Sequence, residues 1–161
     1  MSFLEIKKYP NPILKKKCDE VKEITPEIRE LVFNMIKIMQ GNQGIGLAAP
    51  QVGVLKRIIV VQTTEGPVGF INPRIIKQSK GTEIAEEGCL SFPGLYLKIK
   101  RAREIEVRAK NIEGKDLEIH VQGVLARIFQ HEIDHLDGIL FIDRIGIWQR
   151  IWTLLKFYGK K

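Results

Sequence analysis

The stretch HEIDHLDGILF, residues 131–141, constrains this chain more than any other. Histidines at i and i+4 share a face in a helix, where they can converge on one ion. Glu132, one residue on and rotated by about 100°, is better placed to touch a metal-bound water than to join the ligand plane. That suits a general base. The chain has only three histidines, and two fall in this frame. We therefore read the segment as a metal-bearing helix, not as two polar residues on a partly exposed face. A hydrolytic ion usually has three protein ligands and one open position. The third must come from elsewhere.

Two familiar completions fail. In the pattern H-E-x-x-H-x-x-G-x-x-H the glycine is in register at Gly138, but Phe141 stands where the third histidine belongs. No glutamate follows Glu132, so a downstream glutamate is excluded as well. Asp137 and Asp143 lie at or beyond the helix end. Upstream, His120 alternates with Ile119 and Val121 as a strand residue would, and Cys18 sits among lysines. Cys89 lies between Gly88 and a loop ending in Pro93-Gly94, where a neighbouring cation would hold its thiol as thiolate. A lone cysteine is more often a buried, inert small residue. Residue chemistry alone leaves these candidates open.

With 161 residues, 44% of them hydrophobic, and no linker, repeat or low-complexity tract, residues 1–161 are expected to form one domain. The charge of +7 suits anionic partners or simply a solvated basic surface. Two cysteines make no disulfide framework. No apolar run is long enough for a signal peptide or a membrane span. The expectation is a soluble, cytoplasmic chain with reduced thiols.

Thr25 and Pro26 form a helix start. Ile28, Leu31, Val32, Met35, Ile36 and Met39 then recur at helical spacing, up to Gly41 and Gly44. RIIVVQ, VGFINP and RIIKQ read as short strands. EIEVRAK and LEIHVQ read as a hairpin turning at Gly114. The metal helix is expected from about Gln122 through Leu136, stopped by Gly138, with a C-terminal helix after Gly146. The fold class is α+β: mixed or antiparallel short strands around a central HExxH helix.

Gly44-Ile45-Gly46-Leu47-Ala48-Ala49 satisfies a loose dinucleotide fingerprint, but it follows a helix and runs into Pro50, so that reading fails. Taken together, GIGLAAPQVG (Gly44–Gly53), EGCLSFPG (Glu87–Gly94) and QHEIDHLDG (Gln130–Gly138) resemble, in order and content, the blocks of the peptide deformylases. The resemblance runs from about Tyr9 to Phe141.

It implies a third metal ligand at Cys89, beside His131 and His135. The implied reaction is hydrolysis of the N-formyl group from the initiator methionine of nascent polypeptides, with release of formate. One divalent metal per chain is implied, Fe(II) in the cell, with Zn(II), Ni(II) or Co(II) able to take its place. A metal-bound water would attack the formyl carbon, with Glu132 as general base. The Gln51 amide and the Leu90 backbone N–H would receive the oxyanion. Gly44, Ile45 and Gly46 would let an extended peptide run close. Ile45, Leu125, Ile128 and Phe129 are candidates for the methionine pocket. Glu87 and Gly88 are also implied at the substrate-binding site, and Glu87 would brace the cysteine loop by pairing with Arg101. Formyl-methionyl nascent peptides and, transiently, the ribosome are the implied partners, with no role for DNA. The alternatives are another metal-dependent amidase or peptidase, and an inactive relative that holds ribosomal RNA.

The tail departs from the longer basic helix of many bacterial deformylases. Ile147, Trp148, Ile151, Trp152 and Leu155 would form one apolar face, expected to pack back on the domain. Exposed, it would favour a dimer or a membrane surface.

Overall fold

The computed structural model describes residues 3–160. Helix α1 (Pro26–Gly41) starts as the sequence requires: the Thr25 hydroxyl accepts from the Ile28 N–H at 3.3 Å, with proline in the first turn. Strands β1 (Gly46–Ala48), β2 (Ile58–Thr63), β3 (Gly66–Gln78), β6 (Glu104–Lys110) and β7 (Asp116–Gln122) form one antiparallel sheet in the order β1-β2-β3-β6-β7. Helix α2 (Gly123–Leu136) carries the histidines, and α3 spans Ile147–Gly159.

The two-residue period of a strand explains the layering. In β2, Ile58 and Val60 pack with Val32, Met35 and Met39 of α1. Ile59 and Val61 pack with Ala126, Phe129 and Ile133 of α2. Leu47 and Ala48 of β1 divide in the same way. At β1 and β2 the sheet is thus buried on both faces, which is why β2 reads as a continuous apolar run, whereas β6 and β7 alternate between buried and more exposed residues.

Strands β4 (Thr82–Cys89) and β5 (Phe92–Ala102) form a separate two-stranded sheet. A third cluster joins Phe92, Leu97 and Ile99 of β5 to Leu14, Leu140, Phe141, Ile142 and Phe157.

Three expectations change. VGFINP and RIIKQ belong to one strand, β3, because Asn72 at φ 53° and Pro73 are absorbed in a register shift between Ile71 and Arg74. The Asn72 side chain caps the irregularity by bonding both N–H and C=O of Val21, each at 2.8 Å. The loop expected to end in Pro93-Gly94 is a tight turn, because Cys89 ends β4 and Pro93 and Gly94 already belong to β5. Helix α3 does pack on the domain, but not through the face named above. Phe157 is buried and Leu154 partly so, whereas Ile147, Trp148, Ile151, Trp152 and Leu155 are exposed. Phe157 prevails because an aromatic ring fills the space beside Phe92, 5.8 Å between centroids.

Candidate metal centre

Helix α2 holds His131 at the wall of a cleft and His135 buried behind it, with ring centroids 5.1 Å apart. The β4–β5 hairpin brings Cys89 to them. The ligand atoms of Cys89, His131 and His135 all lie within 4.8 Å of one another, and among the described residues this is the one such cluster. His120 is instead exposed on β7, 3.2 Å from Glu104. Cys18 is buried in the core, and burial pushes its thiol up to about 11 despite the Arg57 guanidinium. Asp137 pairs with Arg57 at 2.7 Å and Asp143 with Lys15 at 2.6 Å.

The donor set fits a metal. Cys89 Sγ lies 3.4 Å from His135 Nε2. A tetrahedral ion with bonds of about 2.3 Å to sulfur and about 2.0 Å to nitrogen would set the two about 3.5 Å apart. Glu132 Oε2 is buried without a hydrogen-bond partner, an arrangement that costs free energy unless another group completes it.

Glu87 orients His131. Its Oε1 lies 2.8 Å from His131 Nδ1. Arg101 grips the same carboxylate through Nε and an η nitrogen at 2.9 and 3.0 Å, and Arg127 adds a bond at 2.7 Å. Burial alone would raise the Glu87 carboxyl, but the His131 and Arg101 hydrogen bonds and the Arg101 charge outweigh it, bringing it to about 2. Glu87 is therefore an acceptor, His131 donates through Nδ1, and Nε2 is left for the site. The brace extends through Arg101 to Asp134 at 2.6 Å and from Asp134 to Arg144 at 2.6 Å.

Glu132 behaves differently from Glu87. Burial pushes its carboxyl up to about 7, with His131 opposing the rise. Gly46 makes room for it: a Cβ there would stand 2.6 Å from Glu132 Oε1 and 2.9 Å from Ile128 Cγ2. Gln51 sits in a 3-10 turn, Ala49–Val52, after β1. Its Oε1 accepts from the Ala48 N–H at 2.9 Å, which turns Nε2 toward Ser91 Oγ at 3.1 Å and Cys89 Sγ at 3.6 Å.

Gln51, Cys89, His131 and Glu132 line one cavity of about 720 Å³, together with Gly44, Ile45, Gly46, Glu87, Gly88, Leu90 and Ile128, while His135 and Ser91 are buried behind its wall. Leu125 and Phe129 are not among its lining residues. Leu125 packs against the core, and Phe129 is buried against Phe70, 4.9 Å between centroids. Val124, one helical step from Leu125, lines the cleft in its place. Arg127, Asp134, Ser91 and Tyr96 are additions. Arg127 and Asp134 lie four residues before and three after His131, on the helix that carries the histidines. A buried helix face with charges at such spacing was the available signal.

Residues 3–150 match the sequence profile of the polypeptide deformylase family. This chain belongs to the polypeptide deformylase family. It is 49% identical over 166 residues to a peptide deformylase of Thermodesulfovibrio yellowstonii, with both chains covered in full. It is 51% identical over 147 residues to one of Halothermothrix orenii, covering 90% of this chain and 95% of that one. The structure is similar to that of the peptide deformylase from Ehrlichia chaffeensis in complex with actinonin. That match has a TM-score of 0.92 at 39% identity, over 100% of this chain and 99% of the other. The α+β fold, with its antiparallel strands and C-terminal helix, is that of the deformylases. The profile ends at Arg150, early in α3, while the matches to the Thermodesulfovibrio and Ehrlichia proteins extend over the whole chain.

Proposed function

We propose that this deformylase hydrolyses the N-formyl group of the initiator methionine on nascent polypeptides with Cys89, His131 and His135 holding one divalent ion. Fe(II) is the ion we assign in the cell, with Zn(II), Ni(II) and Co(II) as substitutes the same donors accept. When bound, the ion supplies Lewis acidity and lowers the pKa of a water.

The chain's own residues do the rest. Glu132 takes the proton of the attacking water and returns it to the leaving α-amine, so formate and a free amine are the products. Its buried, unpartnered oxygen supports this role. The Gln51 amide, turned toward Cys89, and the Leu90 N–H donate to the developing oxyanion. Strand β1 is the edge of its sheet, and Gly44, Ile45 and Gly46 beside it let an extended formyl-methionyl peptide pair with the backbone. Ile45, Val124 and Ile128 offer the methionine its apolar surface.

One observation carries the reading: three metal donors, a buried carboxylate and an oriented amide meet in one cleft. Mere binding of RNA would need neither the base nor the amide. We place the protein in the cytoplasm, as one catalytic domain over residues 1–161, meeting the ribosome transiently. The test is formate release from a formyl-Met tripeptide by protein prepared without oxygen and supplied with Fe(II). Turnover that spares the unformylated peptide is the expected result. Cleavage of that peptide would indicate a peptidase, and metal binding without formate a binding protein.

A further inference from the structure

Helix α3 has three sides. At about 100° per residue, Ile147, Ile151, Leu155, Trp148 and Trp152 fall within an arc of about 140°, and all are exposed, Trp148 at 75% and Trp152 at 64%. The opposite side is fixed to the domain: Phe157 against Phe92, Leu154 in the same cluster, and Arg150 on Asp143 at 3.1 Å. Between them, next to Trp152, runs a narrow edge carrying exposed Lys156 and Lys160. The packing holds the apolar arc outward, where each side chain gives up free energy that burial would return.

We propose that this arc docks on an anionic lipid surface. Two tryptophans and three branched aliphatics suit the boundary between headgroups and acyl chains, and lysines at the edge can lay their stems along it and reach the phosphates. Of the five Lys or Arg from Arg144 to Lys161, Arg144 and Arg150 are held by Asp134 and Asp143, and Lys156 and Lys160 stand at the edge in a segment with no Asp or Glu. Charge decides among occupants. A second copy would meet this face with a helix that carries no acid, so nothing on it would pair the lysines. A nucleic-acid backbone would satisfy the lysines and leave the apolar arc unmatched. No helix is long and apolar enough to cross a membrane among the described residues, so α3, about 20 Å long, would lie in the interface plane. This inference is independent of the assigned reaction.

The chain's only two tryptophans both sit on this arc, so selectively excited tryptophan fluorescence reports on it alone. Full-length, metal-loaded protein is mixed with phosphatidylcholine vesicles with and without phosphatidylglycerol. The expected result is a blue shift and co-sedimentation with the phosphatidylglycerol vesicles, weakened by salt. Trp148→Ser combined with Trp152→Ser should abolish co-sedimentation while formate release is unchanged. Lys156→Glu with Lys160→Glu should weaken it at least about tenfold. No shift and no co-sedimentation at low salt would overturn the proposal, as would equal binding to the neutral vesicles. A concentration-dependent doubling of mass, lost in the tryptophan double variant, would instead assign the face to a second copy.

Discussion

Nδ1 of His131 lies 2.8 Å from Oε1 of Glu87, and this one bond determines which nitrogen of the imidazole faces Cys89. Glu87→Gln keeps the shape but replaces the carboxylate that Arg101 and Arg127 also grip. We expect metal affinity to fall about 10- to 100-fold, measured by chelator competition. Loss of a buried counter-charge should also destabilise the fold by about 3–5 kcal/mol. Unchanged affinity would show that His131 is oriented by packing alone.

Glu132→Gln separates chemistry from stability. The rate of formate release should drop by about 10²–10⁴. The metal-free fold should respond oppositely. Glu132 titrates at about 7 in place of 4.5, so its native form holds a proton that the unfolded chain has released between those values. Its contribution is full below about 4.5 and is lost as pH rises through about 7, a cost of about 3 kcal/mol. Metal-free Glu132→Gln should therefore melt above the parent at pH 8, with the gap closing toward pH 4. Equal melting at both pH values would contradict the buried-carboxylate assignment.

Gly46→Ala tests how closely the base must be held. The new methyl would stand 2.6 Å from Glu132 Oε1 and 2.9 Å from its Cγ, so Glu132 must move. A displacement of that order costs about 10² in rate. Circular dichroism should stay native and the bound metal should be retained, since neither histidine is crowded by the methyl. Activity near the parent's would mean that Glu132 has room the structure does not show.

Thiol labelling reads metal removal directly. At neutral pH, Cys18 should resist iodoacetamide in the native protein, because burial holds its thiol near 11. Cys89, half-exposed at the cleft, should label after chelation and be protected when Fe(II) or Zn(II) is restored. Mass spectrometry would therefore count one adduct without metal, none with it, and two after unfolding. Protection of Cys18 by metal would place the ion elsewhere.

Much of this was legible in the chain. The 3.6-residue period of α1 and α2 and the turn at Gly114 are local properties, and they appear where the periodicity puts them. The His131–His135 pair follows from helix geometry alone. Cys89 does not, because its approach depends on a hairpin that folds back on a histidine 46 residues further along the chain. Leu125 and Phe129 were candidates for the methionine pocket, yet α2 is apolar on more than one side, and its packing against the sheet leaves Val124 facing the cleft. The tail failed for a related reason. An apolar arc has no direction of its own, and Phe157 was enough to anchor the other side.

The β4–β5 hairpin carries Cys89, yet among the described residues no ladder joins it to the five-stranded sheet. Side chains fasten it to the rest: Arg127 to the carbonyls of Glu83 and Ile99, and Gln130 to both backbone groups of Ala102. A ladder is inherited whole, since shifting one strand by a residue turns over every side chain on it. Fasteners can be exchanged singly. Lineages with this fold can therefore widen or narrow the cleft by small steps, adjusting which peptides fit while the metal donors stay in place.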